Sequence, residues 1–262
     1  MAWSAPKFIF QVLVWASFLS TGCASPGFAQ TISKHPRHDL FADAVNYCRA
    51  RTRAIPWNDE KTILCFNGPI LADLDLTPIL NLNNNGLFVV RSEGGDVVTA
   101  MKIADMLRDR NASVVIYDYC LSACAGFIFI ASAETYVTRG TVVAWHAPSS
   151  DRSIKQHTHA ELQRLREAQI RPYIAFFTSR AIDKRQRVDQ FAYSPQSSHT
   201  RKMVWIKYDL SASYQDVFWM WNPRHHVNYF KTRITYEAYP ESQDEVDEIT
   251  RRFRLPDIIY DP

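Results

Sequence analysis

Three short stretches hold side chains that together can perform acyl transfer. Ser122 lies in Cys120-Leu-Ser-Ala-Cys124, among small residues, after the apolar run Val114–Tyr117 and at the mouth of the apolar segment Ala123–Ala133. His146 ends the apolar run Val142–Trp145 and is followed by Ala147-Pro148, which stops a strand and leaves the ring at its tip. Gly94-Gly95 separates Leu87–Val90 from Val97–Arg110. A serine hydroxyl is a weak nucleophile at neutral pH and needs a base within hydrogen-bond reach. The oxyanion that forms on attack needs fixed N–H donors, which the start of a helix supplies together with the positive end of its dipole. The chain therefore carries a hydroxyl, an imidazole and a backbone anion site, each at the end of an apolar run. The competing nucleophile is the Cys124 thiol, but its place inside an apolar helical segment points to burial and inertness.

The glycines mark the same region. The chain has eight; after Gly22 and Gly27 the others are Gly68, Gly86, Gly94, Gly95, Gly126 and Gly140, with none beyond. An adjacent pair in a chain so sparing of glycine indicates a backbone that needs positive φ or close approach.

The elements that must position these groups follow from periodicity. Residues 32–60 read as helical and then irregular. Strands are expected at Thr62–Phe66, Leu87–Val90, Val114–Tyr117, Tyr136–Val137 and Val142–Trp145. Helices are expected at Leu74–Leu82, Val97–Arg110, Ala123–Ala133 and, long and polar-faced, His157–Ala181. Alternation of this kind predicts an α/β fold with a parallel sheet.

SEGGDVVTAMKIADML, CLSACAGFIFIASA and VVAWHAP resemble three segments of the Clp-type serine peptidases and their crotonase-fold relatives. These are the half-oxyanion-hole segment, the helix that begins at the nucleophilic serine, and the strand that delivers the histidine. The 24-residue separation of Ser122 and His146 is close to that of the family. The resemblance covers roughly Thr62–Ser213 and is greatest to periplasmic Clp-peptidase-like proteins, many with a Cys-x-Ser-x-Cys cluster. It implies repeated β-β-α units and a catalytic pair Ser122–His146. It also implies an oxyanion hole from the Gly95 and Ala123 amides, with Gly94 lining the substrate site. The family's acid lies downstream of the long helix, where Asp183, Asp189 and Asp209 all fall. Asp189 in RVDQFAYSP is nearest the family's acid-Phe-x-Ser pattern, with Tyr193 intervening. A Ser-His dyad without an acid is the alternative arrangement. The activity implied is that of a serine peptidase or hydrolase acting on peptide or protein. The alternative is an inactive scaffold of the same form that holds extended peptides or a protein partner. In Clp-type peptidases the long helix takes part in oligomer contacts, which implies a homo-oligomer. No cofactor is implied. A crotonase-type acyl-CoA enzyme is disfavoured by export.

Residues 1–29 have the form of a secretory leader: Lys7, an apolar run from Phe8 to Leu19, then small residues ending in Gly27 and Ala29 before Gln30. The run is too short for a span of about 20 residues. Ser20-Thr-Gly-Cys23 also touches a lipoprotein signal, so anchoring through Cys23 is the lesser alternative to soluble export. Export to the periplasm or beyond leaves Cys48, Cys65, Cys120 and Cys124 in an oxidising compartment. Four cysteines allow three pairings. Local geometry favours Cys48–Cys65, pinning a helix to a strand, and Cys120–Cys124, bracing the turn that holds Ser122.

Thirty basic and 27 acidic residues give a net charge of +3, too balanced for nucleic-acid binding. His225-His226 have no acid or cysteine cluster beside them, so no metal site is expected. The expected organisation is a leader at 1–29, a helical segment at 30–61, the core domain at 62–213 and an aromatic-rich extension at 214–262. The extension should form a strand or two and a charged helix at Ser242–Arg254, with Trp219, Trp221, Tyr229 and Phe230 packing on the core.

Overall fold

Runs of β-branched and aromatic residues alternate with helical stretches, and the chain folds into parallel strands joined by crossovers. The structure, a computed structural model, describes residues 35–51, 55–56, 58–146, 175–176, 179–180, 218–225 and 230–262, within the unit Ser33–Pro262. In chain order the elements are α1 (His38–Arg49), β1 (Ile63–Asn67), α2 (Thr77–Leu80), β2 (Leu87–Ser92), α3 (Val97–Asp109) and β3 (Ser113–Leu121). A π-helical segment (Cys124–Ile128) follows, then β4 (Glu134–Val137), β5 (Val142–Ala144), β6 (Phe218–Trp221), β7 (Arg233–Tyr236), α4 (Gln243–Phe253) and β8 (Ile258–Asp261). The main sheet runs β1-β2-β3-β4-β7, with β5 also beside β3, and every pairing is parallel. The fold is thus α/β with a parallel sheet, as the alternation predicts.

Both faces of the sheet are covered, so its strands are apolar on both sides. Leu64, Phe66, Phe88, Val90, Val114 and Ile116 face α2 and α3, where Ile79, Ile103 and Leu107 meet them. Cys65, Val89, Val115 and Tyr117 face Phe41, Ala44 and Val45 of α1. Each Val, Leu, Ile or Phe among these contributes about 1.5–3 kcal/mol when fully buried. The Cys48–Cys65 disulfide, with Cα atoms 5.3 Å apart, ties α1 to β1. Asp96 caps α3 by accepting from the Thr99 amide at 2.8 Å.

Several elements differ from expectation. The helix expected at Leu74–Leu82 is confined to Thr77–Leu80. Pro78 favours a start here, where the Asp75 carboxylate accepts from the Thr77 amide at 2.9 Å. The Thr77 bonds also hold the Asp75 carboxyl below its usual pKa. Strand β3 runs well past Tyr117. Its register with β2 shifts between Ile116 and Cys120, where Asp118 takes a left-handed conformation (φ 60°) and the strand bulges. Arg49 and Arg91 hold Asp118 from α1 and β2, at 2.7 and 3.1 Å. Beyond the bulge β3 leaves β4 and pairs with β5 through Tyr119, Cys120 and Leu121. The apolar helix after Ser122 is π-helical, the Phe129 amide donating to the Cys124 carbonyl at 3.0 Å.

The stretch after residue 214 is woven into the same fold. Among the described residues it supplies three strands rather than one or two: β7 continues the main sheet beside β4, and β6 pairs with β8. Trp219, Trp221 and Phe230 are buried in the core, while Tyr229 lies outside the described residues. The helix expected at Ser242–Arg254 forms as α4, capped by Ser242. The helix expected at His157–Ala181 lies almost wholly outside the described residues. Of it, Ala175, Phe176, Ser179 and Arg180 are helical, and Phe176 packs edge-on against Phe127 at 5.1 Å. The leader and Cys23 lie outside them too. Among the described residues no helix is long and apolar enough to cross a membrane.

Candidate active site

The carboxyl ends of β2, β3 and β5 meet where parallel α/β sheets carry their sites. Ser122 follows the last residue of β3 with φ at 53°, a left-handed backbone that costs a non-glycine residue about 1–2 kcal/mol. Such strain persists only where the surroundings over-determine it. Three restraints do so. The Ser122 amide donates to the Ala144 carbonyl at 3.0 Å, and the Ser122 carbonyl accepts from the Gly126 amide at 2.8 Å. The Cys120–Cys124 disulfide, Cα atoms 5.3 Å apart, closes the turn around the serine. Cys124 is fully buried as a disulfide partner, so it offers no thiolate. Both favoured pairings are therefore formed.

His146 follows the end of β5. Its Nε2 lies 2.5 Å from Ser122 Oγ, so with Nε2 unprotonated the hydroxyl donates directly to the ring. The ring rests against Phe218, with centroids 4.6 Å apart and planes at 40°.

The glycine pair packs against this junction. Gly94 has φ +91°, and a Cβ there would stand 2.5 Å from the Leu121 carbonyl oxygen, 2.7 Å from Ser122 Cβ and 2.8 Å from the Ala123 nitrogen. A Cβ on Gly95 (φ +138°) would stand 2.2 Å from the Ile70 carbonyl oxygen. Only glycine permits either approach. Ile70 donates to the Gly94 carbonyl at 2.8 Å and accepts from the Asp96 amide at 2.7 Å. Ile70 thus binds the glycine turn through both of its main-chain groups. Ala123 caps the π-helical segment beside it. The serine thus sits between the glycine turn and the start of the π-helical segment, the kind of junction at which an oxyanion would need fixed N–H donors.

Neighbouring residues that local sequence patterns did not single out hold these parts. The buried Ser92 hydroxyl accepts from the Gly94 amide at 3.0 Å and shapes the entry to the glycine turn. Ile70 holds the turn from the other side. Tyr119 donates to Glu93 at 3.1 Å, fixing the residue before the pair. Burial, and then the Glu93 carboxylate, push the Tyr119 phenol up to about 12, so it remains a donor through the neutral range. Ser92 and Glu93 were visible only as flanks of the glycine pair, and Phe218 only as one more aromatic in the FWMW run.

Ser122, His146, Gly94, Gly95, Ala123 and the Cys120–Cys124 pair are brought together. Asp189, Asp183 and Asp209 lie outside the described residues. Among the described residues no three His, Cys, Asp or Glu side chains gather as metal ligands. No protein-family model matches the chain, and no curated protein matches it.

Proposed function

We propose that the protein is an exported serine hydrolase of the Clp/crotonase-like type, and that its substrates are peptides or proteins. The observation that carries the reading is the 2.5 Å approach of Ser122 Oγ to His146 Nε2, with the serine held in a left-handed turn between two strand ends. A left-handed serine at a strand–helix junction presents its hydroxyl outward, which packing alone does not call for. Ser122 Oγ attacks the carbonyl carbon while His146 Nε2 takes the hydroxyl proton. The carbonyl oxygen, now negative, accepts from the Gly95 and Ala123 amides. His146 returns the proton to the leaving group, the tetrahedral intermediate collapses to an acyl-serine, and water activated by the same imidazole releases the acid. The two disulfides support export to an oxidising compartment, the periplasm or outside the cell. Assembly as a homo-oligomer, through the segment around His157–Ala181, belongs to the same reading.

Labelling with a fluorophosphonate probe tests it. Wild-type protein should be labelled at Ser122, and Ser122→Ala and His146→Ala should abolish or nearly abolish labelling. Folded wild-type protein that is never labelled would point instead to a scaffold that binds extended chains without cutting them.

A further inference from the structure

Resting on the Ser122–His146 reading, we propose that Phe218 is a positioning residue of the base: its ring holds the plane of the His146 imidazole so that Nε2 faces Ser122. The register of the backbone makes this contact obligatory. Trp145 and Trp219 exchange both main-chain hydrogen bonds, each at 2.8 Å, as an isolated antiparallel bridge. In an antiparallel pair the residues next to such a bridge, here His146 and Phe218, are direct cross-strand neighbours. They form the close, non-hydrogen-bonded pair whose side chains share a face. The 4.6 Å separation of the rings is what this register produces. β6 is in turn held by β8, with Phe218 opposite Ile258, Trp219 opposite Ile259 and Met220 opposite Tyr260. Trp145 and Trp221 stack at 4.8 Å behind the bridge. A flat apolar face alongside His146 restricts the imidazole plane in a way that an aliphatic side chain of similar volume does not. Segment 218–261, far from the serine in sequence, thereby becomes part of the catalytic centre's support.

The test compares Phe218→Tyr, Phe218→Leu and wild type. It reads Tm, the fluorophosphonate labelling rate at saturating probe, the probe concentration at half-maximal rate, and the ring-current shifts of the His146 ring protons by NMR. Tyrosine keeps the flat face and should label within about twofold of wild type. Leucine should label about tenfold or more slowly at saturating probe, with the half-maximal concentration and Tm little changed and the ring-current shift lost. Wild-type labelling with an equal rate in Phe218→Leu overturns the proposal. So does an equal loss in both variants with a lowered Tm, which assigns Phe218 to packing. Wild-type protein that folds and is never labelled overturns the hydrolase reading itself, a different result from either.

Discussion

The Ser122 amide donates to the carbonyl of Ala144, two residues before His146, at 3.0 Å. Ser122 and His146 are therefore set in register by main chain as well as by their side chains. This bond continues the ladder in which Tyr119, Cys120 and Leu121 lie opposite Val142, Val143 and Ala144. The hydroxyl and the imidazole end adjacent strands at the same level, and the 2.5 Å contact follows from that.

Gly94→Ala should be among the most damaging single substitutions. The added carbon would stand 2.5 Å from a backbone oxygen and 2.8 Å from the Ala123 nitrogen, neither of which is a flexible side-chain end. Positive φ adds about 1–2 kcal/mol of strain. Displacing one oxyanion donor costs about 2.7–4 kcal/mol of transition-state stabilisation. Denaturant titration should show lowered stability, and labelling should fall by about a hundredfold or more. Near-normal labelling in this variant would mean that the glycine turn does not serve the serine.

The two disulfides should separate stability from activity. Cys48–Cys65 closes 17 residues and Cys120–Cys124 only 4, so chain entropy assigns about 3 and about 2 kcal/mol to them. Replacing Cys48 and Cys65 with alanine should lower Tm more. Replacing Cys120 and Cys124 should lower the labelling rate more, because it frees the turn that keeps Ser122 left-handed. A Cys120→Ala/Cys124→Ala protein labelled at the wild-type rate would remove the bracing role.

Glu134 should contribute to acid lability. It is buried, which opposes its charge. The bonds from Arg233 and Ser113 and the charges of Arg233 and Arg37 outweigh burial and hold the carboxyl below its ordinary value of 4.5. A depressed pKa gives stability that is present above the unfolded value and lost as pH falls through the folded one. Wild-type stability should thus decline as pH drops below about 4.5, and Glu134→Gln should be less stable at neutral pH but flatter across that acid range. Parallel acid limbs for the two proteins would refute this.

Asp118 should matter more for its backbone than for its charge. Both Arg49 and Arg91 contact it, and its φ of 60° suits aspartate and asparagine better than alanine. Asp118→Asn should retain the bulge and most of the stability. Asp118→Ala should lose about 1–2 kcal/mol in denaturant titration, because alanine tolerates the left-handed backbone less well. Equal stabilities would show that the bulge is fixed by strand pairing alone.

The parallel sheet, the glycine turn and the meeting of Ser122 with His146 were legible in the sequence because apolar runs, breakers and small residues are local signals. The course of β3 beyond Tyr117 was not. A left-handed aspartate inside a bulge looks like the end of a strand, and the side chains that hold it there, Arg49 and Arg91, are distant in the chain. The π-helical turn escaped notice because a five-residue apolar stretch has the same composition whether its carbonyls accept from the fourth or the fifth residue on. Phe218 was hidden for a third reason: cross-strand neighbours separated by so much chain leave no shared pattern, and FWMW reads as buried aromatic bulk.

The pairing of β6 with β8 orders events during synthesis. Ser122, the glycine turn and His146 are all made long before Phe218, and Phe218 has no strand partner on its far side until Ile258–Asp261 have been added. A chain interrupted between these points carries the hydroxyl and the imidazole but not the strand pair that backs the imidazole. The Ser122–His146 pair thus gains this neighbour late, when most of the polypeptide has been made, and a fragment released early lacks it.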